Sequence, residues 1–196
     1  MNYLIVGLGN PGEEYQNTRH NVGRTLVEKF SKQNAFSGWE KSKKTKALEG
    51  SGLIGKQKVT AILPDTFMNK SGLAVGNYIK SKKEIERLVV LYDDMDLPLG
   101  KFKISFGRSS GGHRGLESII KSLKTKDFIR LRIGVSPSTS SGKLKKPSGE
   151  KAVIDFILGK FKPTENEILK KESKKICEAI EMIIAEGREK AMGEFN

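Results

Sequence analysis

Three short apolar runs, Tyr3–Leu8, Val59–Leu63 and Leu88–Tyr92, each of strand length and each leading into a polar loop, constrain this chain more than anything else in its sequence. Phe102–Phe106 and Leu131–Val135 read as two further strands. A run that is apolar on both faces belongs in a sheet covered on both sides, which is the habit of parallel sheets. Between the runs the apolar period changes. Leu26, Val27 and Phe30 predict a helix over Val22–Asn34, and Leu73–Ser81 and Gly115–Leu123 fit two more. Ile168, Leu169, Ile176, Ile180, Ile183 and Ile184 share one face of a long amphipathic C-terminal helix over 166–191, whose other face is rich in Lys and Glu. Strands alternating with helices predict an α/β fold with a mostly parallel sheet between two helical layers. At 196 residues and with no internal repeat, a single domain over 1–196 is expected. Ser136–Lys151, rich in Ser, Pro, Gly and Lys, reads as a mobile basic loop of that domain and not as a linker.

Charge narrows the partners. Lys and Arg number 36 against 23 Asp and Glu, a formal +13 that attracts polyanions and speeds their encounter. Charge alone does not separate tRNA from DNA, ribosome or acidic membrane, and a solubility device is an equal reading. One cysteine, Cys177, excludes an internal disulfide and a Cys-based zinc site. No run approaches the roughly 20 apolar residues of a membrane span, and no leader pattern precedes Tyr3, so a soluble cytoplasmic protein is expected.

Gly7-Leu8-Gly9-Asn10-Pro11-Gly12 matches the spacing of a dinucleotide fingerprint and follows a strand. The mechanism behind that fingerprint needs the third glycine inside a helix whose first turn meets a pyrophosphate. Here Pro11 precedes it, Glu13 and Glu14 follow, and no apolar helical face begins before Leu26. Two carboxylates beside the loop would repel phosphate, and no acidic residue ends a second strand about 20 residues on. A nucleotide cofactor is therefore not expected.

Four polar clusters sit where the apolar runs end, the place where open α/β sheets bind ligands. They are Asn10 with Tyr15, Arg19 and His20; Phe67-Met68-Asn69-Lys70-Ser71-Gly72; Asp93-Asp94-Met95-Asp96; and Gly111-Gly112-His113-Arg114-Gly115. The chain has only two histidines, and both lie in these loops. Neutral imidazole is a competent general base at cellular pH, and a carboxylate on its far nitrogen, here Asp93, would fix the tautomer and stabilise the imidazolium. There is no G-x-S-x-G elbow, so water is the simplest attacker. Two histidines in separate glycine-rich loops lack the usual metal-ligand spacing, and no metal is expected. On residues alone the bland readings stand beside these: a capping Asn, a solvated acidic loop, Phe67 and Met68 as core.

Taken together these blocks resemble bacterial-type peptidyl-tRNA hydrolases. The resemblance rests on Ile5–Gly12, Tyr15 with Asn17–Gly23, Phe67-Met68-Asn69 with Ser71-Gly72, Asp93-Asp94 with Asp96-Leu97-Pro98 and Gly100, Gly111-Gly112-His113 with Gly115-Leu116 and Ser118-Ile119, Arg130–Gly134, and Phe156–Phe161. It spans nearly the whole chain in the family's order. It implies a monomeric α/β/α sandwich with a mixed, mostly parallel twisted sheet. It also implies an activity: hydrolysis of the ester between a peptide and the 3′-terminal ribose of tRNA, which recycles tRNA during translation without metal or cofactor. By the same resemblance His20 is the base, Asp93 orients it, and Asn10 discriminates peptidyl from unblocked aminoacyl substrate. Asn69 holds the peptide backbone, Tyr15 and Phe67 face the peptide and the tRNA 3′ end, and His113 belongs to the substrate-binding set.

Three departures concern the tRNA. Arg114 stands where the family has Asn, replacing an amide that donates and accepts with a group that only donates. Ser105 stands at a basic phosphate-clamping position, with Lys103, Arg108 and Arg132 as substitutes. Ser136–Lys151 is longer than the family norm and adds Lys143, Lys145, Lys146 and Lys151. The alternative reading is a non-enzymatic RNA-binding relative of the same fold.

Overall fold

The computed structural model describes residues 2–196. Its strands are β1 (Tyr3–Gly7), β2 (Glu40–Ser42), β3 (Ala47–Ile54), β4 (Gln57–Pro64), β5 (Leu88–Pro98), β6 (Phe102–Phe106) and β7 (Ile129–Ser136). Its helices are α1 (Val22–Gln33), α2 (Ser71–Val75), α3 (Lys82–Ile85), α4 (Arg114–Leu123), α5 (Glu150–Leu158), α6 (Pro163–Glu186) and α7 (Arg188–Phe195). The strands form one seven-stranded sheet in the order β2-β3-β4-β1-β5-β7-β6. The central four, β4, β1, β5 and β7, are mutually parallel. The outer pairings β2–β3, β3–β4 and β6–β7 are antiparallel. The parallel core expected from the alternating periods is present, and antiparallel strands at its edges make the sheet mixed, as the family resemblance implied.

Alternation along the central strands feeds two cores. Ile5, Val89 and Leu91 face α1 and α6, where Val27, Phe30, Ile176, Ile180 and Ile184 complete one cluster. Leu4, Val6, Leu88, Val90 and Tyr92 face the other way, onto Ala74, Val75, Leu116 and Ile119 of α2 and α4. Odd-numbered residues of β5 thus point toward α1 and even-numbered ones toward α4, as a period of two requires.

Several expectations are corrected. The run read as ending at Tyr92 continues as β5 to Pro98, with a register shift between Asp94 and Pro98 against β7. Gly134 permits that path, because a Cβ there would lie 2.0 Å from the Pro98 carbonyl oxygen. The β2–β3 hairpin was not expected, because Ala-Leu-Glu-Gly-Ser-Gly-Leu-Ile has no clean alternation. The basic segment read as loop to Lys151 gives way at Gly149 to α5, which begins at Glu150. The helix expected over 166–191 starts earlier, at Pro163, and breaks at Gly187, whose φ of 92° no helix accommodates, before α7 resumes. The helix expected over Leu73–Ser81 is the short α2 followed by turns.

The glycines that suggested a nucleotide loop serve packing instead. A Cβ on Gly23 would lie 2.2 Å from the Leu91 carbonyl oxygen, and one on Gly7 would lie 2.8 Å from the Gly23 carbonyl oxygen. Bare backbone lets the start of α1 press directly on β1 and β5. That contact sets the turn before α1, which carries His20, against the middle of β5, which carries Asp93.

Candidate active site

The first polar cluster is built by a reciprocal bracket. The Asn10 backbone N–H donates to Asn21 Oδ1 at 2.9 Å, and Asn21 Nδ2 donates to the Asn10 carbonyl at 2.9 Å. The loop after β1 is thereby fastened to the 3₁₀ turn Arg19–Asn21, and Asn10 is held beside His20. The Met68 backbone N–H, in the second cluster, donates to Asn10 Oδ1 at 2.7 Å. The Asn10 carboxamide is oriented by that bond: its oxygen is engaged, so its Nδ2 is the group left to donate into the cleft.

His20 Nδ1 lies 2.9 Å from Asp93 Oδ1, and both side chains are almost wholly buried. Asp93 is ionised, so the Nδ1 proton points at it and Nε2 keeps its lone pair. His113 Nε2 lies 2.9 Å from the same Oδ1. The Leu116 N–H, in the first turn of α4, donates to His113 Nδ1 at 3.3 Å, which leaves the ring proton on Nε2. Two imidazoles, one from the α1 layer and one from the α4 layer, thus meet one carboxylate oxygen at the sheet end. Burial pushes the Asp93 carboxyl up, but electrostatic attraction to both histidines and their hydrogen bonds outweigh it and hold the group well below the usual carboxylate range. His20, Asp93 and His113 also bring three ligand-type atoms within 4.8 Å of one another. A cation on His113 Nε2 would force a proton onto Nδ1, where it would face the Leu116 N–H. The α4 cap makes this trio a proton network and a poor cation site.

These groups open into a cleft of about 620 Å³. Asn10, Phe67, Met68 and Asn69 line one side, and Arg108–Arg114 and Arg132 another. Val153, Ile154, Ile157 and Leu158 of α5 supply an apolar wall that the sequence reading assigned to no site. Its signal was the apolar spacing of Val153, Ile154 and Ile157, masked by the Ser/Pro/Gly-rich stretch before it. Phe67 is 58% exposed at the rim, with Tyr15 edge-on at 6.5 Å between ring centroids; Tyr15 itself does not line the cleft.

The cationic residues divide. Arg132 Nε donates to Asp94 Oδ2 at 2.7 Å, and Arg114 donates to Glu150 at 2.7 Å across the mouth of the cleft. Arg108 is exposed on the lining, whereas Lys103 is exposed on β6 and outside it. Ser105 is buried on β6 and is not at the surface. Lys146, in the basic loop, pairs with Asp96. Arg19, grouped with the site by its place in sequence, is structural. It donates to the Phe156, Gly159 and Lys160 carbonyls and to Glu165, with its guanidinium over Phe156 and Phe161. Arg130, fully buried and stacked on Phe128 at 4.6 Å, donates to the Ser109, Arg108 and Lys126 carbonyls. It fixes the loop that forms one wall of the cleft, a task its position in a buried strand did not disclose.

Comparison with known proteins gives one consistent result. The family model described as peptidyl-tRNA hydrolase matches residues 4–196. The peptidyl-tRNA hydrolase of Carboxydothermus hydrogenoformans is 42% identical over 196 residues, covering 99% of this chain and 98% of that protein. That of Syntrophotalea carbinolica is 39% identical over 194 residues, covering 98% and 96%. The crystal structure of peptidyl-tRNA hydrolase from Acinetobacter baumannii superposes with a TM-score of 0.87 at 30% identity, covering 100% of this chain and 94% of that one. With its fold and its sequence in agreement over almost the full length, the chain belongs to the peptidyl-tRNA hydrolase family.

Proposed function

We propose that this protein hydrolyses the ester bond between a peptide and the 3′-terminal ribose of tRNA, with His20 as general base. The observation that carries the reading is the His20–Asp93 pair, which leaves one imidazole lone pair facing a cleft lined by Asn10 and Asn69. His20 Nε2 takes a proton from water as the water oxygen attacks the ester carbonyl carbon. The tetrahedral intermediate collapses by breaking the carbon–ribose oxygen bond, and the imidazolium returns the proton to that oxygen. Free tRNA and a peptide acid result. Asp93 holds the ring and stabilises the transient imidazolium, while general-base catalysis contributes roughly 10²–10⁴ in rate.

Substrate choice falls to the amides. Asn10 Nδ2, freed by the Met68 bond to its oxygen, donates to the backbone carbonyl that an N-blocked substrate has and a free aminoacyl group lacks. Asn69, exposed on the cleft rim, holds the peptide backbone further out. Phe67 offers its exposed ring to the peptide or to an unstacked terminal base, and the α5 wall takes apolar side chains of the peptide. The RNA partner is held through phosphates by Arg108, with Arg114 and Arg132 exchanging carboxylate for phosphate and Lys103 contributing on the flank. The test is release of labelled amino acid from N-acetyl-aminoacyl-tRNA beside the same tRNA unblocked. Rapid release from the blocked form alone is expected; release from neither would overturn the reading.

A further inference from the structure

We propose that His113 is a positioning residue that sets how strongly Asp93 holds a proton on His20, and that it does so through the shared Oδ1 without touching substrate. The inference rests on His20 as the base and adds a second imidazole to the account of its strength. Three hydrogen bonds fix the direction of the chain. The Leu116 N–H donates to His113 Nδ1, the His113 Nε2–H donates to Asp93 Oδ1, and the His20 Nδ1–H donates to the same atom. With its side chain buried to the same degree as that of His20, His113 has no free nitrogen to offer a substrate. His113 lines the cleft, but a hydrogen bond from a ring nitrogen to substrate is not open to it.

The physical effect follows from sharing. Each N–H on an oxygen draws off some of the charge available to the other, so a second donor weakens the pull of Asp93 on the His20 proton. The first consequence is that loss of the His113 donor would strengthen the pull of Asp93 on the His20 Nδ1 proton. The second is geometric: a donor from each layer of the sandwich leaves the carboxylate one rotamer. The Tyr92 ring, edge-on to His113 at 5.0 Å, and the His20 ring, also at 5.0 Å, hold the imidazole in this place.

Most of the other charged groups around the trio are paired. On β5 and β7, Asp94 is paired with Arg132. Across the cleft Arg114 is paired with Glu150, and Arg19 on the His20 turn is paired with Glu165. Arg130 lies beyond Tyr92, whose hydroxyl burial and Asp94 push up to about 12 and keep neutral. Arg108 on the cleft wall is exposed to solvent. The second donor on Asp93 is thus the element of this site most directly able to adjust the base.

Two substitutions separate the two ends of His113. Asn places an acceptor where Nδ1 stands and preserves the α4 cap, but it is too short to reach Asp93. Gln reaches Asp93 with an N–H and gives up the cap. The experiment is the pH profile of kcat/KM on N-acetyl-aminoacyl-tRNA for the wild type, His113→Asn and His113→Gln, with thermal melts to confirm folding. The acid limb of His113→Asn is expected to move up by about half a unit to one unit, and that of His113→Gln to overlay the wild type. The downfield proton resonance of His20 Nδ1–H on Asp93 is read in parallel and needs no turnover. It is expected to move in His113→Asn and to stay in His113→Gln. An unmoved acid limb and resonance in His113→Asn, or equal movement in both variants, would overturn the proposal. A resonance that behaves as expected in an enzyme that releases nothing would overturn the assigned reaction and leave the network standing.

Discussion

At Asn10 and Asp93 the neighbours decide what a common side chain does. An amide has a donating and an accepting end, and the Met68 N–H takes the accepting one, so Asn10 has its donating end left for the cleft. A buried aspartate alone would tend to take up a proton, but two imidazoles keep this one charged. The sign of its effect on stability is fixed by that direction. A carboxyl depressed in the folded state contributes stability that is complete above the ordinary aspartate value of about 3.9 and is lost as pH falls toward the folded value. Asp93→Asn therefore lowers Tm at neutral pH by more than it does at acid pH, with the gap narrowing below about pH 4. Melts of both proteins at pH 3 and pH 7 measure this; an equal gap at the two values would show that Asp93 is not held low by folding.

Among the elements, α5 depends most on a residue elsewhere in the chain. It has no fully buried residue of its own, and its apolar face looks into the cleft. Its C-terminal carbonyls, and the first turn of α6 through Glu165, are gathered by Arg19 from the turn that carries His20. Arg19→Leu leaves those part-buried carbonyls and Glu165 without their partner, a loss of about 2–4 kcal/mol. Hydrogen exchange over 150–158 should quicken in that variant and KM should rise. Protection of α5 equal to that of the wild type would show that the helix is held by its own packing.

The same element shows where sequence reading stops. The parallel core was legible because buried strands are apolar on both faces, and the histidine and asparagine loops were legible because they follow those strands. The Asp93–Pro98 half of β5 was not, since polar residues on an irregular register carry no strand period. Neither was β3, where Gly52 gives room to the Phe36 ring and breaks the alternation. At the site, the pairing of His20 with Asp93 could be proposed from two loops at neighbouring strand ends. The turning of His113 inward could not, because it depends on a cap bond to Leu116 and on the arrival of Asp93 from another layer.

Taken as a whole, the molecule combines a buried, hydrogen-bonded reaction centre with a strongly basic exterior. The formal charge of +13 speeds encounter with a polyanion and does not discriminate among polyanions. In the proposed reaction, choice and chemistry fall to Asn10, Asn69 and His20, in a cleft that two helical layers and α5 close around the sheet end. This separation predicts that binding of the RNA and cleavage of the ester can be taken apart by one substitution. The direct measurement is single-turnover release of the N-acetylated amino acid from saturating enzyme, wild type against His20→Ala, with tRNA affinity measured on the same preparations. A rate lower by about 10²–10⁴ or more at nearly unchanged affinity is the predicted result. Release by His20→Ala at the wild-type rate would contradict the assignment of the base on which the account rests.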